Sequence, residues 1–278
     1  MSIPFGHHQL HNRYTFTGQL QLETALRISA GVASDETDAP FIRTASGKPY
    51  IPGTSLRGAI RAELERILAA VGESATGMAS CLLFEPEGCA DKVNDHLKAL
   101  REKEEKKNKK DRKTEDQLLA QAAADKLCAI CRLFGSTMYA ARLTIGDALP
   151  VEDSKEPTGA IRDGVGIDRD TGAASDGAKF DYEVLEPGVD GPFFSFRMQV
   201  ENVATESDKK LITLILRLLT QGLQAGGKKA AGMGRIKLRK IDGLHYRTTC
   251  FADPQALWQS LQSGNELVEQ SVTWQEVL

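Results

Sequence analysis

Ile51-Pro52-Gly53-Thr54-Ser55-Leu56-Arg57-Gly58-Ala59-Ile60-Arg61 turns an extended segment into a helix. Pro52-Gly53 is a turn-forming pair, and Thr54-Ser55 offers hydroxyls of the kind that cap helix N-termini. Leu56, Ile60, Leu64, Ile67, Leu68 and Val71 follow at helical spacing, which predicts a helix with one apolar face. Arg57 and Arg61 stand one turn apart and are expected on its exposed side. Backbone N–H groups, a hydroxyl and two guanidinium groups at a helix start suit a phosphate; an ordinary capped helix with solvated arginines fits the same residues. Gly58, one turn in, would let a ligand or a second backbone approach closely.

The segments outside this helix alternate instead. Tyr14, Phe16, Leu20 and Leu22 fall on one face of a strand opposite Thr15, Thr17, Gln19 and Gln21. Ala141, Leu143 and Ile145 alternate with Arg142 and Thr144, and Phe194, Phe196, Met198 and Val200 alternate with Ser195, Arg197, Gln199 and Glu201. Asp208–Gln224 is predicted as a second helix with Leu211, Leu214, Ile215 and Leu218 inward, ending on Gly226-Gly227. Met233–Leu238 closes the series as a strand. The order strand, helix, strands, helix, strand predicts an α+β fold, a ferredoxin-like or RRM-like sandwich. Two insertions interrupt it: a segment of mixed charge within 75–135, and a Gly-, Asp- and Pro-rich excursion within 150–192 that reads as a long hairpin. All 278 residues are expected to form one domain.

A net charge of −3 gives no hint of nucleic-acid binding, so any such surface must concentrate its basic residues on one face. No apolar run reaches the roughly 18 residues of a membrane span. Met1–Asn12 lacks the apolar segment of a secretory signal, so a cytoplasmic protein is expected. The five cysteines are an odd count, which favours metal ligands or reduced thiols over disulfides. Cys81, Cys89, Cys128 and Cys131 could hold a structural Zn²⁺ or remain thiols; His96 is a reserve ligand, and Cys250 reads as a core thiol.

Gly226-Gly227-Lys228-Lys229-Ala230-Ala231-Gly232-Met233-Gly234-Arg235 is neither a P-loop nor a dinucleotide fingerprint, because its glycines follow a helix and precede a strand. It reads as a flexible basic loop able to wrap a phosphate, or as a plain helix-to-strand connection. Asp35-Glu36-Thr37-Asp38-Ala39-Pro40 is an acidic loop; a carboxylate there could position a divalent cation or assist a ribose hydroxyl, though most such loops are only solvated.

Taken in order, four segments resemble the RAMP superfamily of CRISPR-associated proteins, and most closely the backbone subunits of type III effectors in the Csm and Cmr families. They are Asp38-Ala39-Pro40-Phe41-Ile42-Arg43, Lys48 through Arg61, Gly164-Val165-Gly166-Ile167-Asp168-Arg169-Asp170-Thr171-Gly172-Ala173-Ala174, and the C-terminal Gly-rich loop. The resemblance implies an RRM-like palm that stacks along a guide RNA beside neighbouring backbone subunits and a large polymerase/cyclase-like subunit. Ser55, Arg57, Arg61, Lys228, Lys229 and Arg235 would contact guide RNA. Ile167 and Arg169 would lie on a thumb hairpin that wedges into the guide–target duplex. Asp38 would cleave target RNA with Mg²⁺ or another divalent cation, by attack of the 2′-hydroxyl on its neighbouring phosphate. A non-catalytic backbone subunit and a guide-processing endoribonuclease remain alternatives, the latter needing a histidine such as His7, His8 or His11.

Overall fold

A computed structural model of the chain describes residues 7, 10–81, 87–239, 255, 258 and 262, and the strands His245–Cys250 and Glu269–Thr273 by backbone. Cys250 and its expected burial therefore lie outside the described side chains, as does His8 altogether.

The alternating segments form one antiparallel sheet. Strand β1 (Asn12–Leu22) leads to helix α1 (Gly53–Val71) and the short α2 (Glu73–Thr76). Helices α3 (Cys89–Glu105), α4 (Glu115–Lys126) and α5 (Ala129–Phe134) precede β2 (Leu143–Ile145). A hairpin of β3 (Gly159–Ile167) and β4 (Ala174–Leu185) is followed by β5 (Phe193–Glu201) and α6 (Glu206–Gln221). Then come β6 (Leu223–Gln224), β7 (Arg235–Leu238), β8 (His245–Cys250) and β9 (Glu269–Thr273). The sheet runs β2-β5-β1-β7-β6, with β8 beside the first half of β1 and β9 beside β8.

Alternation puts Phe16, Leu20 and Leu22 of β1 and Phe194, Phe196, Met198 and Val200 of β5 into one core. Leu56, Ile60, Leu64 and Leu68 of α1 and Leu211, Ile212, Ile215, Leu216 and Leu219 of α6 cover it. Each such side chain contributes about 1.5–3 kcal/mol on burial. The inserted α3 and α4 form an antiparallel hairpin: His96 pairs with Asp125 at 3.0 Å and Arg101 pairs with Glu115, while Val93, Leu97, Leu100 and Leu118 are buried. Thr114 and Gln117 cap α4 reciprocally.

Five local expectations change. Helix α1 starts at Gly53, before Thr54-Ser55, and neither hydroxyl caps it. The Asp147 carboxylate accepts the Gly53 N–H at 2.8 Å, so the cap comes from a residue 94 positions away. Val71 is half exposed, as the last residue of the helix. Helix α6 ends at Gly222, whose φ of 99° breaks the helix four residues before Gly226. Leu214 and Leu218 are only partly buried, the inward face being rotated onto Ile212 and Leu219. Arg142, expected to face outward, is 2% exposed and bonded to Asp208 at 2.6 Å, because β2 begins only at Leu143.

Candidate metal centre and nucleic-acid interface

The helical insertion begins and ends at cysteines. Cys89 opens α3, Cys128 occupies the position before α5, and Cys131 lies within α5, while Cys81 approaches from the preceding loop. Their Sγ atoms lie within 4.8 Å of one another. Cys81 Sγ is 3.5 Å from Cys131 Sγ and 3.7 Å from Cys128 Sγ. Four sulfurs around a tetrahedral Zn²⁺ at about 2.3 Å would stand about 3.8 Å apart, so the donor set fits that ion. The Cys128 thiol is lowered to about 7 by Cys131 and then Cys81, and Cys89 to about 7 by Cys128 and then Cys131. Cys131 is pushed up, chiefly by Cys128: the four groups share their protons, and Cys131 keeps its own longest. Thiolates of this kind are the form that binds metal. His96 lies outside the cysteine cluster and pairs with Asp125.

Arg57 and Arg61 are half buried, and both reach the end of α5. Arg57 donates to the carbonyl of Phe134, the last residue of α5, and Arg61 donates to the next carbonyl, of Gly135, at 3.0 Å. Arg61 also pairs with buried Glu65 at 2.7 Å and reaches Cys131 Sγ at 3.5 Å. The arginines expected at a solvated surface thus cap the C-terminal end of α5, where cations are favoured. Ser55 lies in the first turn of α1, partly exposed, with its N–H bonded to Pro52 O at 3.0 Å.

Asp38 is exposed on the loop between β1 and α1, and that loop is docked on the hairpin. The Asp38 N–H donates to Asp181 Oδ1 at 2.9 Å, and the Asp181 N–H donates to Asp38 Oδ2 at 3.2 Å. The Thr37 hydroxyl donates to Asp181 Oδ1 at 2.5 Å. Glu183 continues the contact: its N–H donates to Ala39 O at 3.0 Å, its carboxylate accepts the Phe41 N–H at 2.8 Å, and it pairs with Arg43. The Asp181 carboxyl is held below the ordinary range, first by the Thr37 hydroxyl and then by the Asp38 amide.

The hairpin tip is an Asx turn. Asp168 Oδ1 accepts the Asp170 N–H at 3.0 Å and the Thr171 N–H at 2.8 Å, and Gly172 takes a φ of 68°. Ile167 is 57% exposed, and Ile161 and Val165 are exposed on the same face of β3; Arg169 is exposed at the tip. Midway along the hairpin, the Phe180 ring covers Gly164 across the strand pair, where any Cβ would overlap the ring.

Lys228 and Lys229 are exposed on the Gly-rich loop. Lys228 adopts φ 57° and sets its Nζ 4.4 Å from the Phe180 ring centroid and 5.3 Å from that of Tyr182, tying the loop to the hairpin. Arg235 is engaged elsewhere, with Glu23 at 2.7 Å and with Gln221 O at 2.6 Å. His7 lies against Tyr139, its ring nitrogen 3.1 Å from Ala140 O. Asp181, Glu183, Phe180 and Asp147 carried no mark in the sequence; each matters through a partner far along the chain.

A family model described as the RAMP superfamily matches residues 19–237. A protein of Methanocaldococcus jannaschii named CRISPR system Cms endoribonuclease Csm3 is 28% identical over 245 residues, covering 84% of this chain and 81% of that one. Among the described residues, no helix is long and apolar enough to cross a membrane.

Proposed function

This chain belongs to the RAMP superfamily, and from that premise we propose that it is a guide-RNA-binding backbone subunit of a type III CRISPR effector that cleaves complementary target RNA. The observation that carries the reading is the meeting of Asp38 with the middle of a hairpin that exposes Ile161, Val165 and Ile167, in a chain similar over most of its length to a protein named as an endoribonuclease. The connection β1-α1-β2-β5-α6-β7 with sheet order β2-β5-β1-β7 supports a ferredoxin-like palm. On this reading the chain is one domain, with a zinc-tied insertion at 75–135 and a thumb at 150–192. Its partners are guide RNA, target RNA, neighbouring backbone subunits and a large polymerase/cyclase-like subunit, and it works in the cytoplasm.

The residues divide the labour unevenly. Lys228 and Lys229, exposed on the Gly-rich loop, are the strongest guide contacts, with Ser55 at the start of α1. Arg57 uses one of five guanidinium donors on Phe134 and can offer others to a phosphate. Arg61 and Arg235 act chiefly by holding structure around the guide surface. Ile167 and Arg169 would enter the duplex, Ile167 by apolar contact with base faces, splaying the target strand so that a 2′-hydroxyl lines up with its phosphate. Asp38 would hold or receive the proton of that hydroxyl. A hard divalent cation such as Mg²⁺ suits the carboxylate oxygen of Asp38 and would supply charge neutralisation at the phosphate when bound. The four thiolates would hold Zn²⁺ in a structural role, since four protein ligands leave no position for water.

The test is target-RNA cleavage by the assembled effector complex carrying Asp38→Ala. The expected result is loss of cleavage with guide and target still bound. Cleavage at every site as in the wild type would leave a purely architectural backbone subunit as the function.

A further inference from the structure

We propose that Asp181 is the positioning residue for Asp38, so that the hairpin strand itself sets where the cleaving carboxylate sits; this rests on the reading of Asp38 above. Asp38 and Asp181 exchange two hydrogen bonds, each donating its N–H to the other's carboxylate. The same Oδ1 of Asp181 also accepts the hydroxyl of Thr37, which is 6% exposed. Two residues on, Glu183 repeats the pattern toward Ala39 and Phe41. The loop is therefore paired to β4 largely by side-chain acceptors, and its register is fixed by Asp181 and Glu183.

The choice of residue points beyond simple docking. An Asn or Ser at 181 could accept the same bonds as a neutral group. An aspartate there keeps the acceptor negatively charged and gives charge-assisted bonds to the Thr37 hydroxyl and the Asp38 amide, which fixes the loop more tightly. Because Asp181 lies on the hairpin, displacement of the hairpin by a bound duplex moves Asp38 with it.

The test uses the assembled complex with Asp181→Ala, Asp181→Asn and Asp38→Ala. Asp181→Ala should lower the single-turnover cleavage rate about 10- to 100-fold, the scale of a small misplacement of a reacting group. The target concentration for half-saturation should stay unchanged. Asp181→Asn, which keeps an acceptor, should restore most of the rate. Amide hydrogen exchange over residues 35–42 should rise in Asp181→Ala and rise much less in Asp181→Asn. Wild-type cleavage in Asp181→Ala alongside an inactive Asp38→Ala overturns the positioning role. Unchanged exchange in Asp181→Ala overturns it too, whatever the cleavage result. Cleavage that survives Asp38→Ala instead overturns the catalytic reading of Asp38, and the exchange measurement then still decides whether Asp181 holds the loop.

Discussion

Arg61 on helix α1 reaches the Sγ of Cys131 at 3.5 Å while pairing with Glu65 at 2.7 Å and bonding the Gly135 carbonyl at 3.0 Å. One guanidinium thereby joins the sheet-covering helix to the cysteine centre at the root of the insertion. A donor to the Cys131 sulfur would favour its ionised form when a metal is bound, and outer partners of this kind set metal affinity. The insertion is therefore tied to helix α1.

The centre should hold one Zn²⁺ per chain by elemental analysis. Cys89→Ser should lose the metal and lower the Tm, by about 2–4 °C for each kcal/mol lost in a chain of this size. Intact folding and unchanged Tm after complete chelation would argue against a structural metal.

Arg61→Met should cost about 3–5 kcal/mol, because it leaves Glu65, 8% exposed, as an unpaired buried charge. The double change Arg61→Met with Glu65→Leu should recover most of that stability in denaturant unfolding, since a buried pair replaced by apolar groups is often neutral. Metal affinity should stay about 10- to 100-fold weaker in both, because the donor to Cys131 is gone. Recovery of affinity in the double variant would remove Arg61 from the metal's surroundings.

Lys228→Gly removes one exposed charge while suiting the φ of 57°. The slope of log affinity for guide RNA against log salt should shrink by about 0.7 for one lost contact to a single strand. Arg235→Ala should leave that slope nearly unchanged and lower stability instead, since its guanidinium is held by Glu23 and Gln221.

Gly53 and Gly58 should respond in opposite ways. A methyl at Gly53 would overlap the Ile145 carbonyl, so Gly53→Ala should destabilise by about 1–3 kcal/mol or more. Nothing lies within 4 Å of a Cβ at Gly58, so Gly58→Ala should stabilise the helix by about 0.5–1 kcal/mol. Guide affinity should nevertheless fall if RNA approaches that turn.

The Arg142–Asp208 pair predicts a pH dependence. Burial opposes ionisation of Asp208, but the Arg142 guanidinium and the Ala204 and Thr205 amides outweigh it and hold the carboxyl below its ordinary 3.8. A depressed folded value means that this stabilisation is complete well above 3.8 and is lost as pH falls through the folded value. Wild-type stability should therefore decline from about pH 5 downward. Asp208→Asn should be less stable at neutral pH, with a flatter acid limb in thermal scans. Equal acid slopes would show that Asp208 ionises alike in both states.

What the sequence determined by itself is local and periodic. The alternation of Phe16, Leu20 and Leu22 and of Phe194 through Val200, and the helical spacing from Leu56 to Leu68, marked the sheet and the helix that covers it. Side-chain direction along one element follows backbone geometry, so such patterns survive in a single sequence. The ordered motifs also carried the family, and the cysteine spacing carried the cluster. Pairings between distant residues were decided only by tertiary structure. Asp38 meets Asp181 across 143 positions, Arg61 meets Cys131 across 70, and Arg142 meets Asp208 across 66. No periodicity encodes such meetings. An arginine that caps a buried helix end and an arginine that faces solvent look alike until the chain around them has closed.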